Sequence, residues 1–118
     1  MSNVIHLHPD SMRARLSEAQ AVQEIRRDLL ERGVPASQVQ RVCARARDSL
    51  RRGRPPRGPI QGVLHRAKDL GLSSFTLMDG LQATLRALIE GRSGAVAYQA
   101  GIAAMRAKAQ GQQPSGAA

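Results

Sequence analysis

Seven arginines stand between residues 41 and 57, at positions 41, 45, 47, 51, 52, 54 and 57, and the acid among them is Asp48. Those 17 residues carry +6 of a net charge of +9. Guanidinium groups at this density suit one chemistry above others. Each presents a planar fork of N–H donors that fits phosphate oxygens, and the cluster has enough of them for about four to six phosphates. Other groups point to less. His6, His8 and Asp10 (HLHPD) are three potential metal ligands, but so close to the N-terminus they read as incidental, and no metal or cofactor is expected. Cys43 falls on an apolar helical arc and reads as a small buried hydrophobe. No nucleophile is spaced beside a base, no glycine-rich loop follows a strand and no carboxylate pair stands out, so no enzyme is expected. With one Phe, one Tyr and no Trp, there is little to stack on unpaired bases.

From Gly33 to Val42 the sequence reads GVPASQVQRV. This segment resembles the turn and recognition helix of the helix-turn-helix in repressors of the lac-repressor type. There a Gly takes the left-handed turn conformation, an apolar residue follows, and two apolar residues three apart anchor the recognition helix. Gly33, Val34, Val39 and Val42 stand at those positions. The resemblance covers residues 25–45 and implies that Ala36, Ser37, Gln38, Gln40 and Arg41 face the major groove or the phosphates, Gln and Arg being types that read A and G edges. The first helix departs from the pattern: Leu29 stands where a small residue is wanted, and Asp28 and Arg32 where apolar or small ones are. A Gly stop followed by Pro also serves an ordinary helix–loop–helix. Further on, Arg51-Arg52-Gly53-Arg54-Pro55 (RRGRP) resembles the core of an AT-hook, an extended peptide whose arginines enter a narrow minor groove. The alternative is a solvated linker stiffened by proline. With Arg45 and Arg57, these segments give the candidate DNA contacts: Ser37, Gln38, Gln40, Arg41, Arg45, Arg51, Arg52, Arg54 and Arg57.

The elements that position these groups read as helices throughout. A first helix is expected from Asp10 to Arg32, capped by Asp10 or Ser11, with Met12, Leu16, Ala19, Val22, Ile25 and Leu29 as its apolar stripe and Gly33 as its stop. Pro35 opens a second helix, whose Val39, Val42, Cys43, Ala46 and Leu50 share an arc of about 100°, with Arg41, Arg45 and Arg52 opposite. Gly53 to Pro59 (GRPPRGP) reads as a stiff, extended, basic linker. A third helix follows from Ile60 to Gly71, with Gly62 an uneasy residue inside it. A fourth, capped by Ser73 or Ser74, runs to Gly91. A fifth, capped by Ser93, runs from Ala95 to Ala109. The expectation is an all-α bundle of five helices: a flexible N-terminus (1–9), a helix-turn-helix-like half (10–52), the linker (53–59), an apolar three-helix half (60–109) and a disordered tail (110–118).

Composition sets the class. Leu, Ile, Val and Phe make up 25 of 118 residues and Ala another 18, so the core is thin. A single Cys allows no internal disulfide or cysteine zinc site, and no apolar run reaches the roughly 18 residues that span a bilayer, so a cytoplasmic protein is expected. The functional expectation is a small regulator or accessory protein that binds double-stranded DNA. The alternative is a protein-interaction module, an inhibitor or antagonist that sets its cationic face on an acidic partner. A homodimer is expected, with Leu81, Leu85, Leu88, Ile89 and Ile102 as its interface, because the fourth helix carries a wider apolar arc than one core needs.

Overall fold

The computed structural model describes residues 9–112 as five helices: α1 (Pro9–Arg32), α2 (Ala36–Arg51), α3 (Arg57–Asp69), α4 (Ser74–Ile89) and α5 (Gly94–Gln112). There is no strand among the described residues. His6, His8 and the rest of residues 1–8 lie outside them, as do residues 113–118. Gln110, Gly111 and Gln112, expected in the tail, end α5.

The chain stops its first four helices at the expected glycines. At Gly33 (φ 91°) the amide donates to the Leu30 carbonyl at 3.0 Å and the Val34 amide returns to Leu29 at 3.1 Å. The chain therefore reverses within three residues and drops Val34 into the core. Serine starts two of the helices. Ser73 Oγ accepts from the Thr76 amide and Ser93 Oγ from the Val96 amide, each at 3.2 Å.

The expected linker is corrected at its second half. Arg57, Gly58 and Pro59 form the first turn of α3, and the first helical bond runs from the Ile60 amide to the Pro56 carbonyl at 3.0 Å. First-turn amides have no partner within the helix, so the missing N–H of Pro59 costs nothing there. The first half is not extended either. It is a tight cap in which Gly53 (φ 80°) reverses the chain and Ser49 Oγ donates to the Arg54 carbonyl at 2.6 Å.

α4 runs through the middle, packed against α2, α3 and α5. Its contact with α5 is close because two glycines face each other. A Cβ on Gly101 would meet Thr84 Oγ1, and also Val63 Cγ2 at 2.8 Å and the Gly80 carbonyl at 3.0 Å. Thr84 Oγ1 donates across the same crossing to the Ala97 carbonyl at 2.8 Å. Gly62 likewise makes room for the Tyr98 ring, which a Cβ would meet at 2.8 Å.

Two expectations about apolar faces are corrected. Leu81, Leu85, Leu88 and Ile102 are buried inside a single chain and Ile89 is half-buried, so the expected dimer interface is the monomer's own core. The wide arc of α4 is used up by three neighbouring helices. On α1, Val22, Ile25 and Leu29 are buried, but Leu16 and Ala19 are exposed. At 100° per residue Leu16 lies about 180° from Ile25, so the run of apolar residues turns off the core face instead of following it.

Candidate nucleic-acid interface

α2 is seated by Val39, Val42, Cys43 and Ala46, all buried. Helical spacing then leaves Ser37, Gln40, Arg41, Ala44 and Arg45 outside, where all five are exposed, with Gln38 half-buried at the edge. Arg41 and Arg45 are one turn apart on the side toward α4. Neither takes part in an ion pair or hydrogen bond among the described residues. They rim a shallow groove of about 290 Å³ lined by Val42, Met78 and Leu85.

The remaining arginines of the cluster are engaged. Glu18 of α1 lies between Arg47 Nε at 3.6 Å and Arg51, whose Nε and Nη2 reach it at 3.2 Å. Arg52 Nε meets Asp48 at 3.2 Å, one turn back on its own helix. Arg57 at the start of α3 is held by Glu24 at 2.6 Å and Asp28 at 3.5 Å. Arg54 Nη1 donates to the Arg52 carbonyl at 3.4 Å, and its guanidinium lies over Gly91 at the end of α4. Of the candidate contacts, α2 therefore brings Ser37, Gln40, Arg41 and Arg45 together on one open face. Arg51, Arg52, Arg54 and Arg57 lie toward the opposite end of the helix, folded into pairs and a cap.

Glu18, Glu24 and Asp28 are the residues that sequence reasoning missed. They set the electrostatics by answering the cluster from another helix. The signal was present as a concentration of acids: five of the nine, Asp10, Glu18, Glu24, Asp28 and Glu31, lie on α1, while residues 33–57 contain one. These pairs are partly exposed, at 18 to 66% of side-chain area, which limits each to about 1 kcal/mol or less. They bias the arginines without locking them.

Among the described residues no group of three His, Cys, Asp or Glu is placed to hold a metal ion, and no helix is long and apolar enough to cross a membrane. Comparison with protein-family models, with curated proteins and with solved structures finds no match.

Proposed function

We propose that this chain is a small regulator or accessory protein of the cytoplasm that binds double-stranded DNA through the outer face of α2. One observation carries the reading: two arginines with no acid partner, Arg41 and Arg45, stand one turn apart beside exposed Ser37 and Gln40, on a helix entered through a three-residue turn. The arginines supply phosphate contacts that fix position. Ser37 and Gln40, nearer the start of the helix, are the groups offered to base edges. The RRGRP cap holds Arg54 against Gly91, and a minor-groove role for it requires the Ser49 bond to open.

The groove beside Arg41 and Arg45 favours a second reading, an acidic protein segment, because its apolar lining has no use for a phosphate. A titration of labelled duplex over a range of salt separates the two. Two to four phosphate contacts give a log–log slope of about −2 to −4, shallower than the whole cluster would give. Absence of duplex binding at low salt rejects the DNA reading.

A further inference from the structure

α1 carries a second stripe. Leu16, Ala19, Gln23, Arg26 and Leu30 recur at alternating steps of three and four, the spacing of a helix that packs along another helix. They share an arc of about 80°, centred about 105° around the helix from the arc of buried Val22, Ile25 and Leu29. Leu16 is 66% and Leu30 51% exposed. Arg26 Nε, within the stripe, is buried yet has no hydrogen-bond acceptor. A shallow trough lined by Gln23, Arg26, Arg27 and Leu30 runs along it.

We propose that a second copy of this chain covers this stripe, with the two α1 helices antiparallel and Gln23 beside the two-fold axis. Charge decides the direction. A parallel pair would set Arg26 against the second copy's Arg26, like charge on like charge in the middle of the contact. An antiparallel pair about Gln23 sets Arg26 instead against the second copy's Ala19 and Gln20. Ala19 leaves room for the guanidinium stem, and the Gln20 amide carbonyl is an acceptor for the outer N–H groups of the guanidinium, none of which has a hydrogen-bond partner among the described residues. The same register puts Leu16 on the second copy's Leu30 at both ends of the contact, with Gln23 amides paired at the centre. Both signs lie beside the stripe, through exposed Glu31 and exposed Arg27, which suits self-association better than a partner of one charge. A contact of one helix face is small, so the association is reversible and in the micromolar range. The proposal stands without the DNA reading.

Sedimentation of the full chain from about 1 µM to about 1 mM tests it, with doubling of mass as the expected result. Leu16→Asp and Leu30→Asp, both at exposed positions, should each weaken the association at least about tenfold while helicity is retained. Gln23→Cys should cross-link to itself under mild oxidation. Leu16→Cys should not, because an antiparallel pair holds the two residues 16 about 20 Å apart, against the roughly 7 Å a disulfide allows. Buried Cys43 stays out of the reaction. A monomer at every concentration, a dimer indifferent to both aspartates, or cross-linking at position 16 and not at 23 overturns the proposal.

Discussion

Replacing Glu18 by Gln should strengthen DNA binding, and the structure sets by how much. The Glu18 carboxylate holds two guanidiniums, those of Arg47 and Arg51, whose side chains are 40 and 66% exposed. Exposed pairs of this kind contribute about 0.2 to 1 kcal/mol each. The wild-type chain can release both arginines to a duplex at that cost, so the gain from freeing them in advance is bounded by about 0.4 to 2 kcal/mol, or about two- to thirty-fold in Kd. Anisotropy titrations between about 50 and 200 mM salt give the affinity and the slope together. Arginines that stay on Glu18 in the wild-type complex leave Arg41 and Arg45 alone, with a slope near −2 that steepens to about −4 in the variant. Arginines that leave Glu18 on binding give about −4 for both proteins. Glu31→Gln is the control: it changes the net charge equally, and Glu31 forms no ion pair among the described residues. Equal gains from the two variants would refute the reasoning, because net charge alone would then account for the effect.

Three further outcomes are expected. Ser37→Ala and Gln40→Ala should relax sequence preference while leaving the salt slope unchanged, as read by competition between duplexes of different sequence. Ser49→Ala removes the bond to the Arg54 carbonyl and should lower stability by about 1 kcal/mol in a denaturant titration; if RRGRP acts as a hook, the same change should favour AT-rich over mixed duplex. Gly101→Ala forces a methyl group against Thr84 and Val63 and should cost about 1 to 3 kcal/mol, whereas Thr84→Val should cost about 1 kcal/mol by removing the cross-helix bond to the Ala97 carbonyl, which keeps its partner within α5, both measured by thermal unfolding.

Local chemistry was legible in the sequence and long-range partnership was not. Gly33 and Gly91, Ser73 and Ser93, and the inner arc of α2 from Val39 to Ala46 could all be placed from neighbouring residues, because caps and periodicity are properties of a few consecutive positions. Arg57 meets Glu24 across 33 positions of sequence, and no pattern within either segment announces the pair. Pro59 was misread because a proline that ends one helix is also tolerated in the first turn of the next. Leu16 was misread for a related reason. Successive steps of three from Leu16 to Ile25 look periodic, yet each one falls 60° short of a full turn and together they carry the stripe around the helix. The arc of α4 was measured correctly, but its width does not say whether the neighbours come from the same chain.

Cys43 has a use that follows from where it lies. It is the chain's one thiol, 2% exposed on the inner side of α2, while the groups proposed to meet DNA are on the outer side. An alkylating reagent reaches the sulfur only when α2 lifts off its seat, so the rate of modification counts those openings and serves as a clock for local unfolding. A duplex on the outer face never touches the thiol. It slows the clock only by holding α2 down, and the protein thus carries its own reporter of occupancy on the far side of the helix.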